Sequence, residues 1–418
     1  MPSMRICIDG RLISGTTGGV EQAIIGLAGG FSALSDGDEE YLFLVYDGTD
    51  AWIKPYLQGP CRILPAGPPP APFKVKLMYK YPFLRALWHR VISPVLGRHS
   101  VNVPRSDGTI ERAGVDLMHF TIQTAFLTSI PNIFTPYDLQ HLHLPHLFSP
   151  RERLKREILY RTFSNQAQLV IALSKWCKHD LITQYQLPNE KVTIVPLSSV
   201  LEAYPAPRES DLQAIRQKYH LPDRFLFYPA YSWPHKNHKG LLDALALLRD
   251  REGLRVPVVF SGGQNAFFEE LRRYVRKRQL DEQVCFVGFV SPQELVGLYH
   301  LCTGMIFPSL FEGWGLPILE AFSCGVPVAC SNVTALPEVA GDAALMFDPY
   351  DVEQIAMAVA RLWQDADLRS TLIARGAQRA RAFSWQKTAR LLRAHYRRIL
   401  RVPLTSDDIA LLASESDD

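Results

Sequence analysis

The stretch Met4-Arg5-Ile6-Cys7-Ile8-Asp9, followed by Gly15-Thr16-Thr17-Gly18-Gly19-Val20 and then by residues 21–31, decides the fold. Its first part is a short apolar run that closes in a turn, the pattern of a buried strand. Its middle is a glycine-rich loop. Its last part carries Ile24, Ile25, Leu27, Ala28 and Phe31 at helical spacing. A second apolar run, Tyr41-Leu42-Phe43-Leu44-Val45-Tyr46, comes next. Strand, glycine loop, helix and strand in that order open a doubly wound α/β domain with a parallel sheet. Residues 116–120, 132–135 and 169–173 read as later strands of the same sheet.

The alternation restarts beyond Val200. Strands are expected at 225–228, 256–262, 284–288, 305–307 and 327–330, and helices at 239–249 and 292–300. A proline-rich stretch, Tyr204-Pro205-Ala206-Pro207, marks the linker. The expected division is a first domain over 1–200, a second over 201–384, a helix over 385–401 that crosses back to the first, and an acidic tail over 402–418. Two such halves leave a cleft between the carboxyl edges of their sheets, where open α/β folds bind ligands.

Composition agrees. The chain has 418 residues, 47% of them hydrophobic, more than one core usually organises. Lys and Arg total 45 against 42 Asp and Glu, a net charge of +3, which excludes a general nucleic-acid binder. Cys7, Cys61, Cys177, Cys285, Cys302, Cys324 and Cys330 form no C-x-x-C pair and are expected as buried, reduced thiols of a cytoplasmic protein. No apolar run reaches membrane-spanning length, and Met1–Arg5 does not read as the start of a signal peptide. Residues 73–98 carry Lys74, Lys76, Lys80, Arg85, Arg90 and Arg98 among apolar residues, with no acid. Such a stretch suits peripheral contact with the inner face of a membrane, or else a helical hairpin that covers its own domain.

Pro308-Ser309-Leu310-Phe311-Glu312-Gly313-Trp314-Gly315-Leu316-Pro317-Ile318-Leu319-Glu320-Ala321 is the densest functional signal. Gly313 and Gly315 let the backbone approach a ligand with free N–H groups, and Pro317 suits the first turn of a helix. A helix N-terminus adds about half a positive charge, so the turn can hold a diphosphate without a metal. Glu320, a turn into that helix, can accept two hydrogen bonds from a vicinal diol such as that of a ribose. Glu312 stands where the far end of a diphosphate would bring a sugar hydroxyl. On spacing alone the alternative is two solvated glutamates beside an ordinary glycine turn. In Tyr231-Ser232-Trp233-Pro234-His235-Lys236-Asn237-His238-Lys239, a lysine can balance a leaving diphosphate.

These residues resemble the retaining nucleotide-sugar glycosyltransferases of the GT4 type (group 1), which have the GT-B fold of two Rossmann-like domains. The resemblance rests on E-G-W-G-L-P-x-x-E-A and continues through Val287-Gly288-Phe289-Val290-Ser291 with Glu294, Ser323-Cys324-Gly325-Val326-Pro327-Val328 and Leu336-Pro337-Glu338-Val339. It implies that Glu320 holds the nucleotide ribose and that Glu312 lies beside the transferred sugar. It implies further that Gly313, Trp314, Gly315 and Leu316 meet sugar and phosphate, that Gly288 and Val290 flank the base, and that Lys236 binds phosphate. Many members have an arginine where this chain has Tyr231, so His235 or the Gly18-Gly19 loop is expected to supply the missing donor. Tyr137 stands where the family usually has a sugar-contacting histidine. That role is expected of Tyr137, Asp138 or His141, and His119 is a further candidate at the cleft edge. The P-H-K-N-H form resembles a mannosyltransferase-like subgroup.

The resemblance implies transfer of a hexose, with mannose from GDP-mannose as the expected donor, to a hydroxyl of a growing polysaccharide or lipid-linked glycan. It implies neither cofactor nor metal. The alternatives are a transferase using UDP- or dTDP-sugars and a nucleotide-sugar epimerase of the same fold. A zinc site at His141, His143 and His146 is disfavoured, because no cysteine or acid has ligand spacing. Asp36-Gly37-Asp38 and Asp365-Ala366-Asp367 match the D-x-D of metal-dependent transferases but fall in polar surface runs. No G-x-S-x-G elbow marks a serine hydrolase, and no clean G-x-G-x-x-G marks a dinucleotide site.

Overall fold

The computed structural model describes residues 4–15, 18–69, 101–201 and 204–414. The basic stretch 73–98 lies outside the described residues. The first sheet consists of β1 (Arg5–Asp9), β2 (Glu40–Val45), β3 (Cys61–Pro65), β4 (Leu117–Phe120), β5 (Asn132–Phe134), β6 (Leu169–Ala172) and β7 (Val192–Ile194), in the order 3-2-1-4-5-6-7. The second consists of β8 (Leu226–Pro229), β9 (Val258–Ser261), β10 (Val284–Gly288), β11 (Gly304–Phe307), β12 (Val328–Ser331) and β13 (Ala344–Phe347), in the order 10-9-8-11-12-13. Neighbouring strands pair in parallel throughout, Ile6 standing between Tyr41 and Leu117.

The sequence explains why these runs are parallel strands. Ile6, Cys7 and Ile8 are all fully buried, with Ile6 and Ile8 in one apolar cluster and Cys7 in another on the opposite face. A strand covered on both faces reads as a continuous apolar run, and helices supply the cover. In each half the order reverses about the first strand: β1 lies between β2 and β4, and β8 between β9 and β11. Loops leaving those strands diverge to opposite faces and open a crevice between them. Strands β3, β7 and β13 were not anticipated from the sequence. Their burial patterns mix exposed or half-buried positions, as befits outer strands.

Helix Trp385–Ile399 packs against helix Gly19–Ser32 of the first half, as expected of a crossing helix. The contact is close because Gly26 lacks a side chain. A Cβ there would lie 1.9 Å from the Trp385 ring, whose Nε1 donates to the Ser199 carbonyl at 3.0 Å.

The expected acidic tail is corrected in part. Residues Ser406–Ser414 form a helix, and Asp408 is fully buried. It accepts from Arg397 Nη1 at 2.7 Å and from the Thr405 N–H at 2.9 Å, while Arg397 Nε donates to Glu39 at 2.7 Å. Net acidity pointed to solvent, but this one acid completes the shell of a buried guanidinium. Removing one member of a buried ion network strands the others and costs about 3–5 kcal/mol. Arg397→Ala is therefore expected to lower unfolding free energy by that amount in urea titration. A loss below about 1 kcal/mol, the scale of an exposed pair, would show the network to be superficial.

Candidate functional site

The crevice of the second sheet collects most of the predicted residues. Lys236 follows β8 in a short turn fixed at both sides. Its carbonyl accepts from the Tyr228 hydroxyl at 2.5 Å, and Asn237 takes the left-handed conformation (φ 56°) and caps the next helix through the Gly240 N–H. Glu312 follows β11, and its N–H donates to the Thr334 hydroxyl at 3.1 Å. The two side chains meet, Lys236 Nζ lying 2.6 Å from Glu312 Oε1, with 18% and 14% of their side-chain surfaces exposed. The adjoining loops are tied together by the Leu310 N–H, which donates to the His235 carbonyl at 2.8 Å.

The first half comes close to this pair through Tyr137 and Asp138. Tyr137 adopts φ 69°, a strained conformation for a bulky residue. A Cβ on Gly313 would sit 2.4 Å from the Tyr137 carbonyl oxygen and 3.2 Å from the Asp138 Cβ, so only glycine fits there. The buried Cys177 thiol donates to the Gly313 carbonyl at 3.1 Å across the same seam. Burial lifts the Asp138 carboxyl above its ordinary range and Glu312 adds to this, while the Gln140 N–H, Arg156 and Lys236 oppose it. Asp138, Glu312 and Lys236 thus share one electrostatic environment.

Glu320 lies inside helix Leu316–Ser323, 6% exposed, and accepts from the Tyr299 hydroxyl at 2.9 Å. Burial raises its carboxyl from the ordinary 4.5 to about 7, the tyrosine bond only partly opposing this. Gly315, the cap of that helix, has φ 150°. Leu316 faces Gly19, whose Cβ would lie 3.6 Å from Leu316 Cδ1. The Tyr231 ring covers Gly18, and its hydroxyl donates to the Gly15 carbonyl at 3.3 Å, joining the glycine loop of the first half to the loop after β8. Gly288 (φ 74°) lines a small surface pocket with Gln264, His238, Phe260 and Phe286.

Several candidates stand elsewhere than expected. The Tyr137 hydroxyl donates to the Thr121 carbonyl at 2.8 Å, so its phenol belongs to the first sheet and its main chain faces the seam. Trp314 is buried, its Nε1 donating to the Leu197 carbonyl at 3.2 Å, and it serves the joint between the halves. Val290 is likewise part of the core. Burial, reinforced by Lys236, pushes the His235 imidazole down to about 2, so it is neutral and cannot replace a lost arginine charge. His119 is buried between the Tyr396 hydroxyl (2.7 Å) and the Thr135 hydroxyl (3.0 Å), away from the cleft edge. His141 faces Glu157 at 3.3 Å and His143 faces Asp180 at 2.8 Å, so the two point to different partners. Among the described residues no three His, Cys, Asp or Glu side chains converge to hold a metal, and no helix is long and apolar enough to cross a membrane.

Sequence reasoning missed three supports of the site. Glu21 closes the glycine loop by accepting from Ser14 Oγ at 2.6 Å and the Gly15 N–H at 2.8 Å. An acid in the first turn after a glycine loop was its signal. Thr334 and Glu338 come from a distant loop and helix. The Glu338 carboxylate accepts from the Lys175 N–H at 2.8 and 2.9 Å across the seam, which only the folded chain reveals.

The fold and this crevice define a nucleotide-sugar transferase architecture, and comparison with known proteins agrees. The sequence model described as "Glycosyltransferase Family 4" matches residues 17–198, and that described as "Glycosyl transferases group 1" matches residues 211–379. The chain is 32% identical over 268 residues to O-antigen chain mannosyltransferase B of Escherichia coli, covering 61% of this chain and 70% of that protein. It is 33% identical over 251 residues to the serotype-specific mannosyltransferase WbdA of Escherichia coli, covering 58% of this chain but only 30% of that protein. Among solved structures, sucrose-phosphate synthase of Thermosynechococcus elongatus aligns with a TM-score of 0.69 at 18% identity, covering 95% of this chain and 99% of that one. HepE of Anabaena, in complex with UDP and glucose, aligns with a TM-score of 0.67 at 18% identity, covering 94% and 99%. The chain belongs to the family 4, group 1 glycosyltransferases and has their GT-B fold.

The state of Glu320 has a measurable consequence. Its folded carboxyl holds a proton to about pH 7, whereas the unfolded one releases it near 4.5. The folded form therefore binds more protons between those values, and stability falls as pH rises through that window, by about 3 kcal/mol in all. Glu320→Gln, neutral at every pH, is expected to remove this part of the pH slope in urea unfolding between pH 4.5 and 7.5. An unchanged slope would mean that Glu320 is ionised in the folded protein.

Proposed function

We propose that this glycosyltransferase moves mannose from GDP-mannose to a hydroxyl of a growing polysaccharide or lipid-linked glycan, with retention of anomeric configuration and without a metal. The observation that carries the reading is the Lys236–Glu312 pair, 2.6 Å apart at the crevice of the second sheet and electrostatically coupled to Asp138 of the first. The mannosyltransferase relatives support the choice of sugar.

On this reading the donor diphosphate enters beside Lys236 and the Gly313–Leu316 turn, and Glu312 exchanges its lysine contact for a sugar hydroxyl. Glu320 accepts from the ribose diol. The bond between the sugar C1 and the phosphate oxygen breaks, and the acceptor oxygen attacks C1 from the same face. The acceptor proton passes to the departing phosphate oxygen. Lys236 carries most of the work on the leaving group, because Tyr231 brings no charge and His235 is neutral. Asp138 borders the same space from the acceptor half and helps to orient the sugar. The close seam between the halves excludes water and so limits donor hydrolysis.

Two measurements test this. In thermal shift with EDTA present, GDP is expected to raise the melting temperature more than UDP, dTDP or ADP, a ligand at a hundred times its Kd adding about 2.7 kcal/mol. Equal shifts, or none with GDP, would overturn the donor assignment. Lys236→Ala is expected to lower kcat on the order of 100-fold, as when one donor to a developing anion is lost. Unchanged kcat with a raised donor KM would instead make Lys236 a ground-state contact.

A further inference from the structure

The crevice of the first sheet, between β1 and β4, holds a charged pair that the mechanism above does not use. Asp9 ends β1 and is fully buried. Arg11 grips its carboxylate as a fork, Nε to Oδ1 at 2.9 Å and Nη2 to Oδ2 at 2.8 Å, and the Arg11 N–H adds a bond to Oδ1 at 3.2 Å. The guanidinium also lies 4.7 Å over the Phe126 ring. Thr121, the first residue beyond β4, donates its hydroxyl to the Asp9 carbonyl, and the Thr121 carbonyl accepts from the Tyr137 hydroxyl. A continuous chain of contacts therefore runs from Arg11 through Asp9, Thr121 and Tyr137 to Gly313 and the seam.

Arg11 is held by the carboxylate and the ring, yet 21% of its side chain is exposed. The fork occupies Nε and Nη2, so among the described residues the Nη1 edge of the guanidinium remains for a ligand. Its charge is already matched by Asp9. A guanidinium already matched by a carboxylate gives an anionic ligand little net attraction. To a polyol it offers fixed N–H donors, the complement of sugar hydroxyl oxygens. The crevice where strand order reverses is also where open α/β sheets bind ligands, and the proposed donor residues Lys236, Glu312 and Glu320 all belong to the other sheet.

We propose that Arg11, held by Asp9 and Phe126, binds hydroxyls of the neutral terminal sugar of the acceptor and sets acceptor specificity. This rests on the transferase reading above. The test is steady-state kinetics of the full chain with GDP-mannose and a panel of neutral p-nitrophenyl glycosides, with a glucuronide as the anionic control. Arg11→Lys keeps the charge but loses the fork. The double variant Asp9→Asn, Arg11→Gln removes both charges, so no buried carboxylate is left alone if the single variant fails to fold. Acceptor KM is expected to rise about tenfold or more in both, with donor KM and the GDP-induced melting shift close to wild type, a tenfold change being a clear energetic step. Unchanged acceptor KM in a folded variant, or donor and acceptor KM rising together, overturns the inference. So does wild-type preference for the glucuronide, or GDP binding without transfer to any neutral glycoside. Absence of binding to any GDP-sugar instead overturns the donor reading on which the inference rests.

Discussion

The ion pair between Lys236 and Glu312 is the interaction on which the rest of the site depends. It forms only because β8 and β11 are neighbours in the second sheet although many residues separate them in sequence. The loops leaving their carboxyl ends must then meet, and each carries one member of the pair. In the structure the two charges satisfy each other. On the proposed reading, a diphosphate sugar entering there meets a lysine already held in place and a carboxylate that turns toward another partner. The pair holds the crevice in shape until a ligand competes for it.

Contacts across the seam follow from the same constraint. Gly313 touches the Tyr137 main chain, Tyr231 covers Gly18, and Glu338 accepts from the Lys175 N–H. Each joins a loop of one sheet edge to a loop of the other. Trp314 and Trp385 anchor the joint further back, on the carbonyls of Leu197 and Ser199. The two halves are joined by these contacts and by one apolar cluster that includes residues of both, with the crossing helix fastened by the buried Arg397, Glu39 and Asp408.

Much of this was legible in the sequence, and the exceptions have physical reasons. Apolar runs buried on both faces marked the inner strands, because such runs have few other uses. Lys236, Glu312 and Gly313 stood out in the sequence as loop residues, and Glu320 as an acid one turn into the helix that follows the glycine turn. The outer strands β3, β7 and β13 lack that pattern. Asp408 was read as solvent-exposed because its partner Arg397 is set by folding, not by local composition. His235 was offered as a substitute donor, but sequence carries no measure of burial, and burial keeps the imidazole neutral, so it brings no charge. Tyr137 was read through its side chain, whereas its left-handed backbone turns the phenol into the first sheet and its carbonyl toward the seam.

The charge balance of the cleft follows from these corrections. Tyr231 contributes a neutral hydroxyl and His235 a neutral ring, so Lys236 provides the cationic head of the second-sheet crevice, and Glu312 already engages it. On the first-sheet side, Arg156 exerts its field on both Asp138 and His235, and Arg11 is matched by Asp9. The site is therefore close to neutral before a ligand enters, and an anionic diphosphate cannot be drawn in by excess positive charge alone. On the proposed reading its grip comes from directed groups: the N–H groups of the Gly313–Leu316 turn, the start of helix Leu316–Ser323, and one ammonium released from its carboxylate. On that reading directed donors hold the leaving group in one place, at the seam that Asp138 borders from the first half.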